Sequence, residues 1–309
     1  MSSAPISNAA HQPGWFATER KDPWYVSPLA IGALLLAFVV YSTAVGLIGG
    51  YHWLNGTGYL SPFYSPEIYG WGPHAIWQGA PGFWPEWLAK VLPFSSAFLI
   101  LAVPAGFRLT CYYYRKAYYR SIWLDPVGCA VGEGRKTYWG ENQLPLILWN
   151  AHRYFLYLAI IVGFILLYDG IKAFWFPVDA AGKQFLWTVG GKAVEGAAYV
   201  RTTLDPTHEA GWKFGIGLGS IILIINPLLI MGYTFGCHSL RHLVGGRKDR
   251  FGPTPCGQYK AWRFVTWLNE HHDKWAMGSL VWVGFTDLYV RLCAAGVWHD
   301  VMIYSPFAK

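Results

Sequence analysis

Five long apolar stretches alternate with polar segments along the chain. Each is close to the roughly 20 residues that an α-helix needs to cross the hydrocarbon core of a bilayer. The stretches are Leu29–Gly49, Val91–Leu109, Leu146–Leu167, Phe214–Tyr233 and Trp275–Trp298. This pattern predicts an all-α fold, a polytopic transmembrane helix bundle with five spans.

Composition excludes an ordinary soluble domain. Of the 309 residues, 54% are hydrophobic and only 13% are charged, whereas soluble domains carry about a quarter charged residues. The polar connections are too short to hold an independent core, and no internal repeat is evident. We therefore expect one membrane domain, residues 28–309, preceded by a mobile, cytoplasmic N-terminal tail, residues 1–27. The tail lacks the pattern of a cleaved signal peptide, so the first helix would act as an uncleaved anchor.

The distribution of lysine and arginine predicts how the helices are oriented. With the N-terminus inside, the inner segments hold 14 of these residues and the outer segments hold 7. Because inner loops of membrane proteins are enriched in positive charge, the pattern favours a cytoplasmic N-terminus in a multi-pass protein of the inner (plasma) membrane. The net charge of +7 then needs no nucleic-acid partner, although the basic inner face could dock an acidic protein.

Two predicted outer loops differ in character. The first, an aromatic loop at residues 51–90, is rich in tryptophan, tyrosine, glycine and proline. Because aromatic rings with polar edges favour the bilayer interface, we expect this loop to lie on the outer membrane surface; a lid over a quinone pocket is the alternative. In the second loop, residues 169–212, apolar patches such as residues 185–189 suggest a small hairpin.

Candidate metal ligands gather at the ends of predicted helices. Cys111 closes the second apolar stretch, His152 lies about two turns into the third helix, and Cys237 and His242 follow the fourth. At about 1.5 Å of rise per residue, these helix ends fall near one membrane depth. Thiolates and imidazoles at one depth suggest a buried redox metal centre.

These ligand types are compatible with several kinds of metal centre. Two thiolates and two imidazoles suit a Rieske-type [2Fe–2S] cluster, a tetrahedral zinc fits the same set, and two histidines alone could ligate haem. On an ideal helix Cys237 and His242 lie about 140° apart, so a helix broken here would be needed for both to reach one metal. His238 shares a face with His242 and is the reserve ligand.

The remaining cysteines and histidines have simpler interpretations. Cys293 is expected to be a small core residue, and Cys256 an ordinary loop thiol. Cys129 lies in a loop that could fold back toward Cys111. His271 and His272 precede the fifth stretch and are interpreted as solvated loop residues.

Charged residues within the apolar stretches form a second candidate site. Asp287 and Arg291 are four positions apart and can pair on one helix face. Arg153 directly follows His152, and Arg108 precedes Cys111 by three positions. Intramembrane charges face a bundle interior, a partner or a water-filled path. They could therefore form a structural ion pair, or Asp287, Arg291 and Arg153 could line a quinone pocket or a proton path.

Four segments resemble one known family, the five-helix, cytochrome b-like membrane anchor of actinobacterial-type succinate dehydrogenase. The segments are Phe107–Arg115, Asn150–Phe155, Gly236–Gly246 and Trp282–Arg291. The resemblance spans the chain from about the first helix to the fifth. The Cys-x-His and Cys-x-x-His loops of soluble Rieske domains are absent.

The resemblance implies a subunit that relays electrons without oxidising succinate itself. It implies a flavoprotein subunit and an iron–sulfur subunit as partners, and a membrane quinone, menaquinone, as acceptor. A Rieske-type [2Fe–2S] cluster on Cys111, His152, Cys237 and His242 is the implied cofactor. A haem b held by His152 with His238 or His242, and a non-redox membrane scaffold, are the alternatives.

Overall fold

Nine α-helices form within the part of the chain that the structure describes. This computed structural model describes residues 14–89, 94–134, 142–144, 146–194, 204–205, 208–246, 248, 251 and 257–307. The helices are α1 (Val26–Ile48), α2 (Glu86–Ala89), α3 (Ser96–Thr110), α4 (Tyr112–Ser121), α5 (His152–Lys172), α6 (Leu218–Phe235), α7 (His238–Arg241), α8 (Gly257–Glu270) and α9 (His272–Ala294). A 3-10 stretch, Leu146–Ala151, leads into α5, and His242–Gly246 is π-helical.

Three stretches of the described chain are long and apolar enough to span a membrane. They are Val26–Ile48, Leu146–Lys172 and Leu218–Phe235, and α3 with α4 forms a fourth if the pair is one broken span. Helix α9 has 23 residues, the length of a span, but it includes four charged residues. The chain is thus a helical membrane protein with three or four candidate spans, and five spans remain a prediction.

Short strands occur between the helices, so the fold is mainly helical rather than purely α. A parallel pair joins β1 (Tyr69–Gly70) to β2 (Trp77–Gln78). Antiparallel pairs join β3 (Trp175–Val178) to β6 (Gly211–Phe214), β4 (Thr188–Val189) to β5 (Lys192–Ala193), and β7 (Ile216–Gly217) to β8 (Met302–Tyr304). The β4–β5 pair confirms the predicted hairpin. Its two-residue turn, Gly190–Gly191, has positive φ at both positions, which glycine adopts without a steric penalty.

The chain divides into two compact units. The first comprises Met1–Val39 and Leu109–Asn150, and the second comprises Val40–Arg108 and Ala151–Lys309. In the first unit, the described part of the predicted tail is hydrogen-bonded to the loop that follows α4, and its mobility stays a prediction. Backbone bonds join Phe16 and Ala17 to Gly132 at 3.0 and 2.8 Å. The Thr18 hydroxyl donates to the Ala130 carbonyl at 2.7 Å, so both backbone and side-chain bonds join residues 16–18 to residues 130–132.

In the second unit, α6 packs between α5 and α9, and the aromatic loop supplies part of the core. Tyr59, Phe63 and Tyr64 are at most 3% exposed. By contrast, Trp77 and Phe83 are 56% and 65% exposed. The expectation that the whole loop lies on the membrane surface is therefore wrong for its first half. Burial of these large rings between helices removes more apolar area from solvent than an interfacial position would.

Asp300 joins distant parts of the second unit. Its carboxylate accepts hydrogen bonds from the Tyr59 hydroxyl at 2.8 Å, the Tyr289 hydroxyl at 2.7 Å and the Gly219 backbone N–H at 2.8 Å. These groups belong to the aromatic loop, α9 and the first turn of α6. One carboxylate thus ties three elements together beside the β7–β8 pair.

Candidate metal centre

Cys111 and Cys237 share one local geometry. Each follows the end of a long apolar helix and precedes a new helix, with extended backbone angles (φ −66° and ψ 132° at Cys111; φ −68° and ψ 140° at Cys237). Both thiols are buried. The Cys237 thiol also caps the helix that follows it, because its Sγ accepts the Ser239 N–H. The break after α6 is also the helix interruption that the sequence required for Cys237.

The surroundings of Gly236 explain where α6 breaks. A Cβ atom on Gly236 would lie 2.9 Å from the Gly232 carbonyl oxygen and 3.0 Å from that of Leu268. A Cβ on Gly232 would lie 2.8 Å from the Trp275 ring. The two glycines are four positions apart, a spacing that allows close approach of a neighbouring segment. Close packing at this level places Cys237 in a buried position, where its Sγ accepts the Ser239 N–H at 3.3 Å.

His152 and Cys237 are in direct contact. The Nε2 atom of His152 lies 3.1 Å from the Cys237 Sγ. His152 is the first residue of α5, and the 3-10 stretch Leu146–Ala151 before it supplies about two turns of the same helical segment, as predicted. Its ring stacks on Phe107 with centroids 4.6 Å apart and planes 6° apart. The structure thus brings together two of the four predicted ligands and fixes the orientation of the imidazole.

His272 is a site residue that the sequence interpretation missed. It is the first residue of α9, not a loop residue, and its ring stacks on Tyr233 at 4.9 Å. A Cβ on Gly236 would lie 3.2 Å from its Nδ1, so the imidazole lies against the end of α6. The Gly232–Gly236 spacing could have identified this contact, because paired glycines mark where another segment approaches a membrane helix.

Arg108 is also part of this environment. Its guanidinium donates to the Ala276 carbonyl at 2.9 Å and to the Ser279 hydroxyl at 2.8 Å, and lies 4.7 Å from the Tyr233 ring centroid. The Arg108 charge is thus hydrogen-bonded by groups on the first turns of α9. Arg108 therefore holds Tyr233 and α9 in position beside the His152–Cys237 contact.

His242 and His238 lie on a more exposed side of the same segment. His242 Nδ1 is 3.2 Å from a guanidinium nitrogen of Arg153, and His238 Nδ1 is 3.2 Å from the Asn269 side-chain amide. Both histidines are exposed. Within the described ranges, no three His, Cys, Asp or Glu side chains approach closely enough to hold a metal ion.

Asp287 and Arg291 form a buried ion pair, and both side chains make further hydrogen bonds. Arg291 Nε lies 2.9 Å from Asp287 Oδ2, and its Nη1 donates to the Gly49 and Gly50 carbonyls at 2.9 and 2.7 Å. Asp287 also accepts the hydroxyls of Tyr41, at 2.6 Å, and of Ser61. This geometry supports the structural alternative, in which the pair fastens the end of α1 and the aromatic loop to α9. A contact with quinone stays a prediction.

The other cysteines lie away from this arrangement or outside the described chain. Cys293 is 6% exposed and packs with Ile222 and Tyr289, which confirms its expected place in the core. Cys129 is exposed, and its backbone carbonyl accepts an Arg20 hydrogen bond at 3.0 Å. Cys256 lies outside the described residues.

Comparison with known proteins yields one family and one solved structure. The family described as Actinobacterial succinate dehydrogenase subunit SdhC matches residues 26–194 and 196–296. The chain is also similar to a chain of the Mycobacterium smegmatis Sdh1 complex in the apo form, with 33% sequence identity and a TM-score of 0.71. That match covers 98% of this chain and 100% of the other. No curated protein matches the sequence.

Proposed function

Because the chain belongs to the family of SdhC membrane subunits of actinobacterial succinate dehydrogenase, we propose that it relays electrons to membrane quinone. In this proposal an iron–sulfur subunit, docked together with a flavoprotein subunit on the basic inner face, supplies the electrons. Menaquinone accepts them within the bilayer. The N-terminus is cytoplasmic, and α9 is the fifth span, in which two of the four charged residues, Asp287 and Arg291, pair with each other.

The observation that carries the proposal is the partly buried contact between His152 and the buried Cys237 thiol. A Rieske-type [2Fe–2S] cluster uses cysteine thiolates on one iron and imidazoles on the other, and when bound it supplies a one-electron carrier. The thiol and imidazole are of the right chemical types, and both come from helix ends that are held rigidly by aromatic packing. The donor chemistry therefore fits the group that the family resemblance implies.

Cys111 and Cys237 are the proposed thiolate ligands, and His152 is the first imidazole ligand. For the second imidazole we place His272 ahead of His242 and His238. His272 packs on buried Tyr233, whereas the other two are exposed. Burial protects a metal–ligand bond from water and holds a ligand ring in one orientation.

Neighbouring groups hydrogen-bond or pack against the proposed ligands and hold them in position. The Ser239 N–H donates to Cys237 Sγ and stabilises the thiolate. Phe107 stacks on His152 and meets Tyr233 edge-on at 5.3 Å, so two aromatic rings exclude water from one side of the site. Arg108 places a fixed positive charge 4.7 Å from the centroid of the Tyr233 ring, next to the aromatic side of the site.

The decisive experiment compares electron delivery to two acceptors in the whole purified complex. In His152→Ala and Cys237→Ser, succinate-driven reduction of a soluble dye should persist, because partner subunits perform it. Quinone reduction should fall at least tenfold, the order seen when metal-site ligand support is lost. The complex should also lose the iron and acid-labile sulfide of one [2Fe–2S] cluster and keep those of its partner subunits. Cys293→Ser, a buried cysteine elsewhere in the second unit, is the matched control and should retain the iron, the sulfide and quinone reduction.

Other results would overturn parts of the proposal. A pyridine haemochrome signal in the parent complex that His152→Ala loses, with acid-labile sulfide unchanged, would identify a haem b subunit instead. Unchanged quinone reduction in both variants would leave a scaffold without a redox role. Retention of sulfide in His272→Ala but its loss in His242→Ala would return the second imidazole to His242.

A further inference from the structure

A cavity in the first unit is lined by side chains of both charges together with aromatic rings. It has a volume of about 610 Å³ and lies between α4 and the loop that follows it. Its walls combine cationic side chains, aromatic rings and two carboxylates. The lining residues are Tyr112, Arg115, Lys116, Tyr119, Arg120, Trp123, Asp125, Pro126, Gly128, Cys129, Glu133 and Leu146. The predicted redox function does not use this cavity.

Helix α4 presents most of the cavity from one face. Lining positions recur at intervals of three and four residues along the helix, the spacing of a single face. The opposite face, with Tyr114, Ala117 and Tyr118, is buried within the protein. Arg115 lies 5.4 Å from the Tyr112 ring centroid, and Tyr119 stacks on Trp123 at 4.8 Å. Cations and aromatic rings therefore alternate along the same wall.

The second wall is a well-ordered loop. Arg120 Nε donates to the Val127 carbonyl at 3.2 Å, and the Asp125 N–H donates to the Tyr119 carbonyl at 3.0 Å. Val127 and Val131 are 3% and 6% exposed, so the loop has its own packed side chains. This wall brings Asp125 and Glu133 to the cavity on a fixed backbone.

The position of α4 in the sequence places the cavity at the membrane surface. Helix α4 begins one residue after the apolar helix α3 ends, and its own sequence is rich in tyrosine, arginine and lysine. That composition is typical of the headgroup level of a bilayer. Exposed apolar side chains adjoin the lining in sequence: Ile122 beside Trp123, and Ile147 beside Leu146, at 55% and 42% exposed.

We propose that this cavity binds the headgroup of an anionic, hydroxyl-bearing phospholipid such as phosphatidylglycerol. Arg115, Lys116 and Arg120 meet the phosphodiester, to which guanidinium and ammonium groups donate charge-assisted hydrogen bonds. Asp125 and Glu133 accept hydrogen bonds from the glycerol hydroxyls. Ile122 and Ile147 contact the acyl chains. The three cations exceed the two carboxylates by one, which matches the single negative charge of the lipid.

The two carboxylates decide between this ligand and an acidic segment of a partner protein. Peptide carboxylates entering the cavity would approach Asp125 and Glu133, and like charges in contact oppose binding. A phosphoglycerol group brings its own hydroxyl donors to the same positions. The mixed charge of the lining therefore favours the lipid over an acidic peptide.

The test is native mass spectrometry of the complete complex in detergent, titrated with phosphatidylglycerol. Lys116→Gln and the double variant Lys116→Gln/Arg115→Gln should bind one fewer lipid tightly, with affinity lower by roughly tenfold or more, because hydrogen bonds to a charged group are lost. Lys248→Gln is the matched control, since Lys248 is an exposed cation outside this cavity. It should bind lipid as the parent complex does. Phosphatidylcholine, which has no hydroxyl or N–H donor in its headgroup, should not compete.

Three outcomes would overturn the proposal. Equal lipid binding by the parent complex and both cavity variants would exclude the site. Binding of soluble glycerophosphoglycerol as tight as that of the lipid would show a free-anion site without acyl contacts. Dissociation of the iron–sulfur subunit from the variants, with lipid binding unchanged, would assign the cavity to a protein partner.

Discussion

At the scale of single residues, Gly236 controls the geometry around Cys237. Its missing side chain leaves room for two carbonyl oxygens and the His272 ring within 3.2 Å of where a Cβ would stand. Backbone oxygens cannot move aside as a flexible side chain can. One absent methyl group therefore permits the approach of α8 and α9 to the end of α6, and with it the position of the proposed ligands.

Substitution Gly236→Ala tests this point. The added methyl group overpacks the site, so we expect a loss of about 1–3 kcal/mol in stability and reduced retention of iron by the purified complex. Gly278→Ala is the control, because a Cβ there meets no atom within 4 Å. It should be neutral or stabilise α9 by up to about 1 kcal/mol, since alanine favours helix more than glycine does. Equal thermal unfolding of the two variants would contradict the packing argument.

His74 in the aromatic loop makes the folding stability of the protein depend on pH. Burial, with help from the nearby Lys172 charge, lowers the pKa of His74 from 6.5 to about 3. The folded state thus binds fewer protons than the unfolded state between these values. Stability from the neutral imidazole is complete above pH 6.5 and is lost as pH falls toward 3.

Thermal unfolding at pH 7 and pH 5 measures this effect. At pH 5 the His74 contribution should have decreased by up to about 2 kcal/mol, because each pKa unit corresponds to about 1.4 kcal/mol. His74→Gln should remove that part of the pH dependence. His208→Gln, an exposed residue in a different connecting segment, should leave it unchanged; the same slope in all three proteins would exclude His74 as its source.

At the scale of elements, the aromatic loop is two structures in one segment. Its first half fills space between α5, α6 and α9, while its second half has large exposed rings. Composition is alike in the two halves, which is why the sequence alone predicted one interfacial loop. What separates them is long-range hydrogen bonding: Tyr59 to Asp300 and Ser61 to Asp287. Such pairings depend on the tertiary fold rather than on local sequence.

Matched truncations in the two halves should therefore differ sharply. Tyr59→Ala removes a ring that is fully buried, and we expect a loss of about 3–5 kcal/mol. Trp77→Ala removes a larger ring that is 56% exposed, and surface changes usually stay within about 0.5 kcal/mol. Limited proteolysis and thermal unfolding in detergent would measure both. Similar losses in the two variants would show that the halves are equally important to the core.

At the scale of the whole molecule, the apolar stretches predicted the long helices well, because a membrane span requires about 20 consecutive apolar residues. Helix ends were less predictable, since the 3-10 stretch before His152 and the breaks at Cys111 and Cys237 depend on packing. The same limit applies to the site. Cys237 and His152 are identifiable from residue type and depth, but His272 becomes recognisable only through the contact between α9 and the paired glycines of α6.

The Asp300 carboxylate also has a consequence for the time course of synthesis. Tyr59 and Asp300 are 241 positions apart in the chain. At translation rates of about 5–20 residues per second, Tyr59 emerges roughly 10–50 s before its partner is made. The Ser220 hydroxyl, 3.0 Å from that of Tyr59 in the folded protein, is made within this interval, and the Asp300 carboxylate is the later of the two partners. Completion of this end of the bundle is therefore a late event on the ribosome, set by chain growth rather than by the intrinsic speed of helix packing.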